Sequence, residues 1–243
     1  MKKKIVFVLL GSIIQGCANG RPTLGTLKGV GGVAVDPSPI TKPVSSRQSP
    51  LVADISFSYR GNGGRNEGRS LQNGEKLHSG DFYKIQFTPK QKCYVYIFQY
   101  DASNQLFTLF PTKGFIGADS INDNPVLASR TYFVPGEGKS FILDNQVGEE
   151  TIHFLVSQKP KPELVALYDQ LLDGRQQGNT SKVKVAQAEI NGYIKKGPRS
   201  EVRYDTGAVV KDDQKRNFTH VGGQRLKCEA ETYCVNSITF YHK

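Results

Sequence analysis

The sequence lacks the features that mark several well-known classes of protein. It has no tryptophan and one methionine, and the apolar run near its start is too short to cross a bilayer as a transmembrane helix. It contains neither a Gly-x-Ser-x-Gly elbow nor a His-Glu-x-x-His zinc pair. Gly138-Lys139-Ser140 is not a phosphate-binding loop, because Phe133 stands where that pattern requires glycine. These absences exclude three common catalytic signatures.

The composition is that of a polar, turn-rich globular protein. Hydrophobic residues make up 37% of the 243 residues, and 25 residues are glycine. This content favours β structure over a helical bundle. The length suits one domain with an appendage, or two small domains.

The first 17 residues predict a secretory signal that ends in a lipidated cysteine. MKKKIVFVLLGSIIQGC has a basic start, an apolar run and a small residue before Cys17. Ile14-Gln15-Gly16-Cys17 resembles the bacterial lipobox, in which the cysteine is acylated and becomes the mature N-terminus. Several acyl chains, such as palmitate, would anchor the protein stably. An ordinary signal peptide that ends near a cysteine is the alternative.

Residues 18–50 predict a flexible tether, because they are rich in Gly, Pro, Ser and Thr without sustained periodicity. Removing the signal with its three lysines lowers the formal charge from +10 to +7. This basic surface could assist docking to anionic lipids and glycans, or could be a solvated face without one partner. No nucleic-acid partner is expected, because the basic residues are scattered.

The stretch from Cys93 to Pro111 predicts a β-hairpin around the turn Asp101-Ala102-Ser103-Asn104. Both faces of its first strand are apolar, so this strand should be central in a sheet that a second layer covers. Four aromatic side chains alternate along one face of that strand, namely Tyr94, Tyr96, Phe98 and Tyr100. Their exposed part could offer a surface to a partner, or the rings could simply be core.

Dispersed short matches in residues 51–160 resemble a bacterial family known only as a domain of unknown function, number 4384. The matching residues are Leu77, Gly80-Asp81, Tyr94 to Phe98, Leu109 to Pro111, Val134-Pro135, Phe141, Leu143, Gly148 to Glu150 and Ser157. Members of that family include envelope lipoproteins and modules appended to caspase-like or kinase-like proteins. With Ala18 after the cysteine, the resemblance implies an outer-membrane lipoprotein facing the periplasm, with the cell surface as the alternative. It implies no catalytic residue and no cofactor.

Residues 51–160 predict a domain of about seven short strands, and residues 161–243 a helical hairpin followed by a β extension. The fold class is therefore mainly β: an antiparallel β-sandwich with an appended helical hairpin and a C-terminal β segment. Thr180 or Ser181 is the expected N-cap of the second helix, and Gly197-Pro198 its end. The helical spacing is carried by Leu164, Leu167, Tyr168, Leu171 and Leu172, and then by Val183, Ala186, Ile190, Tyr193 and Ile194.

The remaining cysteines and histidines predict one covalent link and no metal site. Cys228 and Cys234 lie six apart in an exported chain, which indicates a disulfide. Zinc would need more ligands than these two with His220 and His242 supply. We expect Cys93 to be a small buried hydrophobe and His153 a structural residue on a strand.

We therefore expect a lipid-anchored binding or assembly component of the cell envelope, with envelope proteins as partners, rather than an enzyme. The alternative is a hydrolase that acts on envelope glycan or lipid. A pocket that joins His153 or His78 to carboxylates would favour the hydrolase. A shallow surface with an apolar stripe or an unpaired strand edge would favour the binding component.

Overall fold

The computed structural model describes residues 49–62, 68–111, 124–204, 209–212, 218–221, 223–229 and 233–243, which lie in one compact unit. The predicted signal peptide with Cys17 and nearly all of the predicted tether lie outside these residues. The strands are β1 (Leu51–Arg60), β2 (Arg69–Ser70), β3 (Lys76–Leu77), β4 (Phe82–Pro89), β5 (Tyr94–Tyr100), β6 (Leu106–Phe110), β7 (Tyr132–Val134), β8 (Phe141–Ile142), β9 (Gly148–Ser157), β10 (Glu201–Tyr204), β11 (Val209–Asp212), β12 (Phe218–Val221), β13 (Gln224–Cys228) and β14 (Tyr233–His242). The helices are α1 (Pro162–Gln176) and α2 (Thr180–Lys196).

The long strands form two sheets. One has the order β10-β13-β1-β4-β7, with β2 paired to β1 and β8 to β4, and the other has the order β3-β14-β9-β5-β6. Strands β11 and β12 pair only with each other among the described strands. The pairings within both sheets are antiparallel except that of β3 with β14, which is parallel.

The core lies between the two sheets because side chains alternate along each strand. Ile85 and Phe87 of the first sheet and Ile152 and Phe154 of the second belong to one buried cluster. The rings of Phe87 and Phe154 meet edge to face across the sheets, with centroids 5.4 Å apart. The predicted sandwich is thereby confirmed.

The two helices cover the outer face of the second sheet. Their buried side chains form a second apolar cluster with Phe98 and Leu155. Two hydrogen bonds fix α1 on the β5–β6 hairpin: the backbone N–H of Lys161 donates to the Tyr96 hydroxyl at 2.8 Å, and Arg175 Nη2 donates to the carbonyl of Leu106 at 2.8 Å. The helical hairpin predicted from its apolar spacing is thus a third layer. Neither helix that the structure describes is long and apolar enough to cross a membrane.

The two ends of α2 differ in how well the sequence predicts them. Asn179, rather than the expected Thr180 or Ser181, is the N-cap, and its side chain accepts a hydrogen bond from the backbone N–H of Lys182 at 3.0 Å. The helix ends at Gly197 as predicted. A Cβ atom added there would lie 2.5 Å from a methyl carbon of Val235, so only glycine allows the chain to pass so close to β14.

The C-terminal strands complete both sheets. Strand β13 pairs with β1 in the first sheet, and β14 pairs along its whole length with β9 in the second. Cys228 of β13 and Cys234 of β14 form a disulfide, as their spacing predicts, with a Cα–Cα separation of 5.9 Å. Because both sulfurs belong to the inter-sheet core, this bond links the two layers of the sandwich.

Candidate functional site

An open groove lies where β9 begins and β14 ends. It has a volume of about 510 Å³ and is called the terminal groove here; its lining residues are Val147, Gly148, Glu149, Tyr241, His242 and Lys243. Val147 and Tyr241 keep 56% and 43% of their surface exposed, although both are large apolar residues. The pairing of β9 with β14 places Glu149 opposite Tyr241 and Gly148 opposite His242.

Gly148 gives the groove its shape at the start of β9. Its φ of +148° lies in a region that side chains other than glycine disfavour, and an added Cβ atom would lie 2.9 Å from that of Ala102. The β5–β6 turn therefore packs directly on the start of β9. This close approach brings the backbone N–H of Ala102 to the carboxyl of Glu150, to which it donates at 3.4 Å.

Ser79 and His242 meet beside this groove. Ser79 is exposed in the turn between β3 and β4, whereas His242 is 2% exposed, and Ser79 Oγ lies 3.0 Å from His242 Nε2. The parallel pairing of β3 with β14 holds the two residues together. The backbone N–H of Lys243 donates to the carbonyl of Leu77 at 2.8 Å, and that of Ser79 donates to the carbonyl of Lys243 at 3.3 Å.

A buried carboxylate fixes the turn that carries Ser79. Asp81 is 6% exposed, and its carboxylate accepts hydrogen bonds from the backbone N–H groups of His78 at 2.8 Å and Asn62 at 2.9 Å. Hydrogen bonds of this kind replace those that the turn would otherwise make with water. The backbone of the turn that carries Ser79 is therefore held by a buried carboxylate.

Glu150 lies on the inner side of His242, at the end of a chain of buried polar groups. Glu150 Oε1 is 3.8 Å from His242 Nδ1, and its Oε2 accepts a hydrogen bond from Gln99 Nε2 at 2.7 Å. The Tyr83 hydroxyl donates to Gln99 Oε1 at 2.6 Å, which orients the amide of Gln99 toward Glu150. These polar groups come from β4, β5, β9 and β14, so they link the two sheets through side-chain contacts.

Burial shifts the pKa values of Glu150 and His242 in opposite directions, because it disfavours the charged form of each group. It raises the pKa of Glu150 to about 7, although the hydrogen bond from Gln99 opposes the shift. It also lowers the pKa of His242. Both shifts favour the uncharged form of the group, so they weaken the 3.8 Å contact as an ion pair.

The four aromatic side chains predicted as a partner surface lie under the helices. Tyr96 and Phe98 are 4% and 1% exposed, and Tyr94 and Tyr100 are half-buried; all four pack in the cluster between the second sheet and the helices. Alternation along β5 predicts their common face correctly. It does not predict that α1 and α2 cover this face, so only Tyr94 and Tyr100 retain ring surface that a partner could touch.

The other candidate residues do not join the terminal groove. His153 Nδ1 lies 2.7 Å from Ser237 Oγ, to which Arg199 donates at 2.9 Å, and burial with the nearby arginine lowers the histidine pKa to about 4. The side chain of His78 is 72% exposed and lies 3.9 Å from Asp81.

The thiol of Cys93 is buried, and burial raises its pKa to about 12. Among the described residues, no group of three His, Cys, Asp or Glu side chains could hold a metal ion. Cys17 and the side chain of His220 lie outside what the structure describes.

Sequence reasoning missed Ser79, considered Glu150 only as a carboxylate near His153, and considered His242 only as a zinc ligand. One signal was present: His242 shares a face of β14 with Ile238 and Phe240, so alternation places a histidine among core residues. Nothing in the local pattern connects it to Ser79, which is 163 residues away.

Comparison with known proteins gives a similarity to one family over part of the chain, and no function. Residues 76–160 match the family model described as "Domain of unknown function (DUF4384)". No curated protein and no solved structure matches the chain. The match runs from β3 to the end of β9 and includes Ser79 and Glu150, whereas His242 lies beyond it. The resemblance found in dispersed residues is thus confirmed for this segment, about a third of the chain: residues 76–160 are similar to the DUF4384 family.

Proposed function

We propose that this protein is a lipid-anchored component of a Gram-negative cell envelope that binds or assembles with other envelope proteins. Acyl chains on Cys17 would hold it on the outer membrane, facing the periplasm. The support is the order of basic start, apolar run and lipobox-like tetrad at the N-terminus. A tether of 33 residues with a root-mean-square span of roughly 30 Å would let the folded part reach a neighbouring protein.

The observation that carries the binding role is the terminal groove. Val147 and Tyr241 are two of four exposed large hydrophobic side chains among the described residues, and both line this open surface. Because both side chains line one groove, they offer apolar surface to the same segment of a partner. The groove would accept an apolar segment of an envelope protein, with Glu149 and Lys243 at its polar margin.

The geometry at His153 and His78 favours binding over hydrolysis at these two residues. His153 contacts Ser237 and the edge of the Tyr100 ring, and His78 is largely in solvent. Neither lines the terminal groove. The terminal groove therefore does not join either histidine to a carboxylate.

Site-specific crosslinking in cells tests the proposal. The full chain would carry the photoreactive residue p-benzoylphenylalanine in place of Tyr241, and a matched variant would carry it in place of Val185, which is 58% exposed on α2. We expect an adduct with one envelope protein, identified by mass spectrometry, from position 241 only. Val147→Asp in the same chain should abolish that adduct, because it places a charge in the apolar groove. No adduct, or the same adducts from both positions, would contradict a binding role for the groove.

A further inference from the structure

Three side chains beside the terminal groove stand in the order hydroxyl, imidazole, carboxyl. The distances are 3.0 Å from Ser79 Oγ to His242 Nε2 and 3.8 Å from His242 Nδ1 to Glu150 Oε1. The first lies within the range in which a base activates a nucleophile. The second is longer than a hydrogen bond, and Nδ1 is a buried nitrogen that makes no hydrogen bond to the described residues. The same order of groups occurs in serine hydrolases on unrelated folds.

We propose that Ser79, His242 and Glu150 form a hydrolytic relay that cleaves carboxylic esters with an apolar acyl chain at the terminal groove. Ser79 is the nucleophile, His242 the general base and acid, and Glu150 the positioning residue that orients the imidazole. This activity goes beyond the binding role and does not depend on it.

The hydrogen-bond pattern gives each group its role. Glu150 is held by Gln99 and by the N–H of Ala102, so Oε1 is fixed on the Nδ1 side of His242. In its ionised form this carboxylate can only accept, which favours the tautomer with hydrogen on Nδ1. In that tautomer Nε2 carries the free lone pair and would accept from the hydroxyl of Ser79.

Access to the nucleophile is open on the solvent side. Ser79 is exposed, and its backbone N–H donates to the carbonyl of Lys243, which lines the groove. Val147 and Tyr241 offer apolar surface to an acyl chain. Lys243 is exposed in the same groove, so its positive charge is available to an oxyanion that develops there.

The reaction requires only an ester and water. Ser79 Oγ bonds to the ester carbonyl carbon while its proton passes to His242 Nε2, which gives a tetrahedral oxyanion. That intermediate collapses, the bond to the leaving oxygen breaks, and His242 returns the proton to the alcohol. Water then attacks the acyl-serine, with His242 again taking and returning a proton, and the acid and free Ser79 are released.

Labelling with an alkyl fluorophosphonate tests the nucleophile on the full chain in detergent. We expect one labelled peptide, which contains Ser79. Ser79→Ala should lose the label and reduce hydrolysis of p-nitrophenyl butyrate by at least about 100-fold. Ser237→Ala is the matched control, because Ser237 also contacts a histidine but lies away from the groove, and it should label like the natural protein. A folded protein without label, or label that persists in Ser79→Ala, would overturn the proposal.

A pH profile tests Glu150 without substituting the buried His242, whose loss could unfold the chain. The groups that act on Glu150 are Gln99 and Asp101 from the β5 side, Asp144 after β8, Tyr83 through Gln99, and His242. Hydrolysis should rise as pH passes through about 7, where Glu150 ionises. Glu150→Gln should remove this rise and lower the plateau, and an unchanged rise in that variant would contradict the relay. Because the assay needs neither anchor nor partner, its failure would leave the binding role unaffected.

Discussion

Glu150→Gln should change how the stability of this protein depends on pH. In the folded state burial raises the pKa of Glu150 from 4.5 to about 7. Between these values the folded protein binds more protons at this position than the unfolded chain does, so stability falls as pH rises. A pKa difference of this size corresponds to roughly 3 kcal/mol. Glu150 is only 4% exposed, so solvent does not screen the effect.

The assay is urea unfolding at pH 4.5 and pH 7.5, followed by far-ultraviolet circular dichroism because the chain has no tryptophan. We expect the free energy of unfolding of the natural protein to fall by roughly 3 kcal/mol across this interval relative to Glu150→Gln. The lowered pKa values of His153 and His242 act in the opposite direction, since their unfolded forms bind protons more readily. The difference between the two proteins therefore isolates the carboxyl.

Glu149→Gln provides the matched control for that comparison. Glu149 precedes Glu150 on β9 but is exposed, so its replacement should leave the pH dependence close to that of the natural protein. If Glu150→Gln instead follows the natural protein at both pH values, the carboxyl is not held in a desolvated environment. The geometry described for the buried polar groups around Glu150 would then be wrong.

Three further predictions test the packing of the fold. Replacing both Cys228 and Cys234 by serine should lower the free energy of unfolding in urea by about 2 kcal/mol, because the disulfide closes a loop between residues six apart. Leu171→Ala should lower the free energy of unfolding by about 2–5 kcal/mol in the same assay, because Leu171 of α1 is fully buried between the helices and the second sheet. Leu172→Ala should lower it by less, because Leu172 is half-buried. Cys93 should resist iodoacetamide in the folded protein, as mass spectrometry would show, and react only after denaturation, because its thiol is buried and its pKa is about 12.

Local patterns predict the elements of this fold well, and the structure shows why. The β5–β6 hairpin and the two helices depend on periodicity and turn residues within about 20 positions, which a single sequence displays directly. The N-cap of α2 is an exception, because Asn179, Thr180 and Ser181 are all good caps and their order alone does not decide among them. The structure uses Asn179, the first of the three residues in the sequence.

The candidate site could not be predicted because it is built by distant pairings. Strand β14 pairs with β9 and with β3, and these contacts bring together residues 79, 150 and 242. No periodicity connects such positions. The aromatic face of β5 shows the same limit: alternation places Tyr96 and Phe98 on one side, but the packing of the helices decides that they are buried.

The central claim is that the protein is fastened to the envelope membrane by lipid on Cys17. The direct measurement is metabolic labelling with an alkyne-bearing palmitate analogue, followed by membrane fractionation, for the natural chain and for Cys17→Ser. The account predicts that the natural chain carries the label and sediments with outer membranes. It also predicts that Cys17→Ser is unlabelled and absent from the membrane fraction. Label and membrane association that persist in Cys17→Ser would contradict the account.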